Sequence, residues 1–291
     1  MSEAAKQQVT PQLRAWIIEQ ATAGHQPEAV LQAMCASGWE EDVALEALEA
    51  TLNTYLSERG LRPAANDAPA KPAVELPGPD LTTERVMLDA GDRQVEVAMS
   101  MQAPNIVVFG GLMSDEECDE LVALASTRLN RSETVDTATG ASEVNAARTS
   151  DGMFFSRAEN ELCARIEHRM ATLLRWPMEN GEGLQILRYA PGAEYRPHYD
   201  YFDPAQSGTP TILKRGGQRV GTLVVYLNAP ARGGATIFPD IRLAVAPVKG
   251  NAVFFSYDRP DPSTRTLHGG APVLEGEKWV ATKWLRQGRF D

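Results

Sequence analysis

At 291 residues, 43% hydrophobic and 23% charged, the chain can bury one large core or two smaller ones and has an ordinary globular composition. Its net charge of −11 argues against nucleic acid or an anionic membrane as a main partner. Three scattered cysteines, Cys35, Cys118 and Cys163, lack C-x-x-C spacing, which speaks against a disulfide framework or a cysteine zinc site and reads as free thiols.

The first residues, Met1-Ser-Glu-Ala-Ala-Lys6, carry no charged-then-apolar signal pattern, and no run of about 18 apolar residues follows anywhere. A cytoplasmic protein that does not enter a membrane is expected. Residues 9–59 read as three helices. Thr10-Pro11 can cap and start the first, which Gly24 ends; Pro27 starts the second, which Gly38 ends. After Trp39, the apolar positions Val43, Leu45, Ala47, Leu48, Leu52 and Leu56 mark the third. The order of elements around Gly38-Trp39 resembles a ubiquitin-associated module, which implies a protein partner; a helical docking or dimerisation appendage is the plainer alternative. Residues 60–80 are rich in Pro and Ala and read as a semi-extended linker.

A second domain is expected over 81–291. Val95–Met99 and Asn105–Phe109 read as strands. Ser114-Asp-Glu-Glu117 has the spacing of a capping box opening a helix with Leu121, Val122 and Leu124. Residues 131–152 read as a long polar loop. A helix near 157–175 carries Leu162, Ile166, Met170, Leu173 and Leu174 on one face. From 184 onward strands dominate: Gly183–Tyr189, Val220–Leu227, Ile241–Ala246 and Asn251–Tyr257, separated by glycine turns. The pattern predicts a mainly β fold of the sandwich or jelly-roll kind, with two helices covering one sheet.

Within it, His198 and Asp200 stand two residues apart, so an extended backbone points both the same way. With His268 they could form a 2-His-1-carboxylate triad, the open-faced arrangement of non-haem Fe(II) oxygenases. H-x-D alone is more often structural, and a His₂Asp zinc hydrolase also fits those three residues. His268 precedes Gly269-Gly270, which would let another group approach closely. In a strand, Lys278, Val280, Thr282 and Trp284 share one face. An inward lysine there needs an anion; the alternative leaves Lys278 in solvent and turns Lys283 inward.

The stretch Glu182-Gly-Leu-Gln-Ile-Leu-Arg-Tyr-Ala-Pro-Gly-Ala-Glu-Tyr-Arg-Pro-His-Tyr-Asp-Tyr-Phe202 resembles the prolyl 4-hydroxylase branch of the Fe(II)/2-oxoglutarate dioxygenases. So do Gly216–Arg219, Gly233–Pro239, Pro247–Gly250, Leu267–Val273 and Lys278–Trp284, in family order, as well as Ser114–Cys118 and Arg148-Thr-Ser150 upstream. The resemblance spans roughly 104–288. It implies a double-stranded β-helix (jelly roll), core 182–288, with iron on His198, Asp200 and His268. It implies that Lys278 and Tyr189 take the distal carboxylate of 2-oxoglutarate, with Thr236 lining that pocket. Tyr195 and Trp284 fall where family members line a peptide groove, and Arg148 lies in a segment able to close over substrate. Gly269 and Ala271 stand where the family often has Ala and Cys. Arg259 and Arg265 occupy a longer turn than usual, which bears on substrate choice.

The implied reaction consumes 2-oxoglutarate and O₂, yields succinate and CO₂, and hydroxylates a C–H bond of a prolyl residue in a peptide or protein, with L-ascorbate as reductant. The alternatives are hydroxylation of a free amino acid or another side chain and, outside enzymology, a partner-binding protein with an inactive β domain.

Overall fold

The computed structural model describes residues 9–23, 25, 27–58, 75–83, 85–131, 134–135, 142–143 and 149–291. It divides into two compact units, Met1–Val74 and Glu75–Asp291.

The first unit holds α1 (Pro11–Thr22), α2 (Pro27–Ala36) and α3 (Glu41–Glu58). Thr10 caps α1 by accepting the Leu13 N–H at 3.2 Å. Gly24 lies outside the described residues; the helix closes on Ala23, whose N–H reaches the Glu19 carbonyl. Gly38, at a φ of 91°, turns the chain out of α2. Ile17, Val30, Met34, Ala44, Ala47 and Leu48 fill the small core, with Trp39 packed on its edge. No described helix is long and apolar enough to cross a membrane.

Most of the expected linker, residues 60–74, lies outside the described residues. Its last part departs from expectation and belongs to the second unit. Leu76 packs on that unit's core. Pro77 sits where a Cβ on Gly221 would be, and the Gly78 N–H donates to the Leu174 carbonyl at 2.9 Å. Proline richness signals an extended strip; it does not tell whether the strip lies in solvent or against a surface.

The second unit runs β1 (Met87–Asp89), β2 (Gln94–Met101), β3 (Asn105–Gly110), α4 (Asp115–Ser126), β4 (Asn130–Arg131), β5 (Asp151–Phe155) and α5 (Glu161–Leu173). Then follow β6 (Leu184–Tyr189), β7 (Tyr195–His198), β8 (Arg219–Tyr226), β9 (Thr236–Phe238), β10 (Leu243–Val245), β11 (Ala252–Ser256), β12 (His268–Gly270) and β13 (Lys278–Arg286). A long antiparallel sheet has the order β1-β2-β3-β11-β8-β13-β6-β5-β4, and a short one the order β10-β9-β12-β7. From β6 to β13 the chain passes repeatedly between the two sheets, which is the double-stranded β-helix.

The central strands of the long sheet sort their side chains to two cores. Val107, Phe109, Ile186, Leu223, Phe254 and Ala281 meet Cys118, Leu121, Ile166 and Met170 of α4 and α5. On the opposite face Leu187, Tyr226, Val253, Phe255 and Val280 meet Phe238 and Val245 of the short sheet. Ser114 and Glu117 form the expected capping box on α4. Helix α5 starts later than the apolar spacing alone indicates, because the Asn160 side chain accepts the Cys163 N–H at 2.8 Å and sets the first turn. Strand β5 was not expected. It closes the polar segment 131–152, where the Asp-Gly pair hides the alternation of Met153 and Phe155. The expected strand 241–246 is shorter, since Pro239–Ile241 forms a 3₁₀ turn and Arg242 takes a φ of 54°.

Candidate metal centre

The short sheet brings the triad together. Strands β7 and β12 are antiparallel neighbours, and their register places His268 opposite His198. Gly269 permits this approach: a Cβ there would stand 2.7 Å from the Tyr195 carbonyl oxygen. The departure from alanine at this position thus goes with a tight β7–β12 pair. Asp200 lies just past the end of β7, and its carboxylate turns back toward both rings.

The ligand atoms of His198, Asp200 and His268 all lie within 4.8 Å of one another. His198 Nε2 is 3.5 Å from Asp200 Oδ1, and His268 Nε2 is 3.4 Å from Oδ2. Each ring's Nδ1 faces a main-chain carbonyl, that of Arg196 at 2.9 Å and that of Thr266 at 3.0 Å. A carbonyl only accepts, so each Nδ1 carries its proton and each Nε2 lone pair points at the shared space. Burial and the neighbouring His268 push His198 below its ordinary value, keeping it neutral. Burial opposes charge on Asp200, yet positive charge and N–H donation at His268 and His198 hold its carboxyl well below the usual range, the place a cation takes when both rings are neutral. Two neutral imidazole nitrogens and one carboxylate fit a divalent cation such as Fe(II).

Around this point lies a pocket lined by Leu187, Tyr189, Tyr195, Thr236, Lys278 and Trp284, among others. Lys278 is only 4% exposed, and its ammonium forms no hydrogen bond or ion pair with the described residues. Its ammonium lies 5.6 Å from the ring centres of Tyr189 and Tyr226. Burial alone lowers its pKa to about 8. Lys278 pairs in register with Tyr189 across β13 and β6, and Thr236 accepts a 2.8 Å hydrogen bond from the Tyr226 hydroxyl. This is a cationic, aromatic-walled end of a pocket whose other end holds the triad. It suits a small dianion that reaches from one to the other.

Tyr195 stacks on the His198 ring with centroids 3.7 Å apart. Trp284 is buried, its indole N–H has no hydrogen-bond partner among the described residues, and the Arg219 guanidinium lies 4.0 Å over its ring. Arg148 lies outside the described residues. The segment after it is anchored by Thr149, whose N–H donates to the Glu194 carbonyl at 3.1 Å, beside Tyr195. Arg259 and Arg265 stand apart from the triad. They line a second cleft with Pro104, Asn105 and Asp258. Sequence reasoning missed Thr222, whose hydroxyl donates to Asp200 Oδ2 at 2.7 Å. It also missed the buried Arg219–Glu182–Arg286 cluster, in which both guanidiniums approach Glu182 Oε1 at 2.7 Å.

Residues 184–286 match the family model described as the 2OG-Fe(II) oxygenase superfamily. Prolyl 4-hydroxylase 2 of Arabidopsis thaliana is 39% identical over 211 residues, 65% of this chain and 69% of that protein. Prolyl 4-hydroxylase 1 of the same plant is 43% identical over 204 residues, 64% of this chain and 70% of its own. The chain belongs to the prolyl 4-hydroxylase-like 2OG-Fe(II) oxygenases. This oxygenase is a 2-oxoglutarate-dependent dioxygenase that uses Fe(II) and O₂, and its triad has the donor set that such a metal requires. Among solved structures, the viral collagen prolyl hydroxylase from Paramecium Bursaria Chlorella virus-1 bound to 2-oxoglutarate is 32% identical. That match covers 62% of this oxygenase and 95% of the viral chain, with a TM-score of 0.48.

Proposed function

We propose that this dioxygenase hydroxylates a prolyl residue within a peptide or protein. His198, Asp200 and His268 hold Fe(II), which when bound supplies the O₂ activation coupled to conversion of 2-oxoglutarate into succinate and CO₂. Lys278 and Tyr189 take the distal carboxylate of 2-oxoglutarate, and Thr236 packs beside it. The lysine gives a charge-assisted contact in a water-poor cavity, where such a contact is strongest. Tyr195 presents aromatic surface to a substrate lying over the triad, Trp284 forms part of the pocket wall, and Arg148 is assigned to substrate binding. Prolyl rings stack well on such a surface.

The single observation that carries the cosubstrate assignment is the buried Lys278, whose ammonium pairs with no carboxylate among the described residues. The prolyl assignment is supported by relatives such as prolyl 4-hydroxylases 1, 2 and 5 of Arabidopsis thaliana. L-Ascorbate serves as reductant when turnover leaves the metal oxidised. The site of action is the cytoplasm, and the helical unit recruits a protein partner.

The test is mass spectrometry of proline-containing peptides incubated with enzyme, Fe(II), 2-oxoglutarate and ascorbate. A gain of about 16 Da on proline, matched by succinate, is the expected result; it reflects insertion of one oxygen atom. A gain on a free amino acid or on another side chain, with proline peptides unmodified, would replace the prolyl reading.

A further inference from the structure

We propose that Thr222, itself held by Tyr257, is the positioning residue that orients Asp200 for metal binding. The three ligands are supported differently. Each histidine is fixed by a carbonyl two residues away on its own chain segment, Arg196 for His198 and Thr266 for His268. Asp200 follows the end of β7, in a turn, and the short sheet gives its carboxylate no such anchor. The anchor comes from the long sheet. Thr222 is fully buried on β8, paired with Phe255 on one side and Trp284 on the other. Its hydroxyl donates to Asp200 Oδ2 at 2.7 Å.

The direction of each hydrogen bond follows from proton count. A carboxylate only accepts, so Thr222 commits its single proton to Asp200. The Tyr257 hydroxyl lies 3.3 Å from Thr222 Oγ1 and is therefore the donor in that contact. A two-step relay thus runs from Tyr257 through Thr222 to the ligand oxygen, entirely among buried groups. Its chemical effect is to engage Oδ2 and leave Oδ1 the freer oxygen. With Oδ2 engaged by Thr222, Oδ1 would be the Asp200 oxygen offered to a cation held by the triad. Nothing in the packing of Thr222 needs a hydroxyl: valine has the same shape and the same β-branched preference for a strand. Outer partners of this kind change metal affinity by about 10- to 100-fold when removed.

The proposal rests on the metal-centre reading, and the experiment separates the two. Co(II) is titrated into the full chain and followed by its visible absorption bands, without cosubstrate or turnover. Thr222→Val is expected to raise the Co(II) Kd about tenfold and to shift the bands, with some loss of metal-free melting temperature because the buried Tyr257 hydroxyl loses its acceptor. Thr222→Ser, which restores the hydroxyl, is expected within about threefold of wild type, and Tyr257→Phe is expected to weaken binding about threefold. Tyr257→Phe leaves β8 intact and keeps the proposal falsifiable should Thr222→Val fail to fold. Wild-type affinity and bands in Thr222→Val overturn the proposal, as does a Thr222→Ser variant as weak as the valine one. Failure of the wild type to bind Co(II), or binding undiminished in His198→Ala, overturns the metal centre itself.

Discussion

Strand β13 buries two lysines five residues apart, one on each face of the long sheet, and they are treated in opposite ways. Lys283 points to the helical side. There its ammonium meets the Glu167 carboxylate of α5 and the Glu182 carbonyl, in a space where a Cβ on Gly181 would collide with it. Lys278 points to the pocket and meets only the faces of two tyrosines. Burial pushes both ammonium groups down, but Glu167 pulls Lys283 back up while nothing does so for Lys278. A buried charge that is paired belongs to the scaffold; one that is left unpaired has a ligand as its partner. The largest effect should come from breaking the paired one. Lys283→Ala strands the Glu167 carboxylate in the core and is expected to cost about 3–5 kcal/mol of stability. Urea denaturation measures this, and the 2-oxoglutarate affinity of the folded fraction should be unchanged. A marginal loss of stability would remove the distinction between the two lysines.

Lys278→Ala should do the reverse. Without ligand the variant is expected to be as stable as wild type or more so, since a desolvated charge has been removed. Its affinity for 2-oxoglutarate should fall by about thirtyfold or more, the lower end of the 2–5 kcal/mol attached to truncating one side of a buried charge pair. Equilibrium binding in the presence of Mn(II) reads this directly. Unaltered affinity would leave Lys278 an unexplained buried charge and would end its assigned role.

Which face each lysine takes could not be read from the sequence. Alternation put Lys278 with Val280, Thr282 and Trp284, and Lys283 on the other face, but both faces of β13 are buried, so the usual polar-outward cue is missing. The triad was legible because H-x-D is a local spacing and His268 is one of only four histidines in the chain. Thr222 was not: it sits among buried valines and leucines, and its partner Asp200 is brought to it by the crossing between sheets. The same holds for Glu182, which joins Arg219 and Arg286 from strands far apart in the chain. The helical unit and most of the strands followed from periodicity and glycine turns. Strand β5 escaped because Asp151-Gly152 reads as a turn just ahead of Met153 and Phe155. Leu76 and Pro77 were read as linker because composition reports flexibility and not the surface that removes it.

The smallest effect concerns pH and tests the same contrast without a mutation. In the ligand-free protein, burial lowers Lys278 from an ordinary 10.5 to about 8. The unfolded chain therefore holds more protons than the folded one between those two values, so the ligand-free protein should gain stability as pH rises through that window. Binding runs the other way. 2-Oxoglutarate needs the ammonium form, so its affinity should be level below pH 8 and then weaken by at most about tenfold per pH unit as the lysine loses its proton. Lys278→Met should abolish both trends, because its side chain fills the same volume without titrating. A fluorescence titration of 2-oxoglutarate with Mn(II) from neutral to alkaline pH gives the profile. An affinity that stays level through pH 9 in the wild type, or one that falls equally in Lys278→Met, would show that the pocket-side lysine is as well satisfied as its neighbour on the helical side.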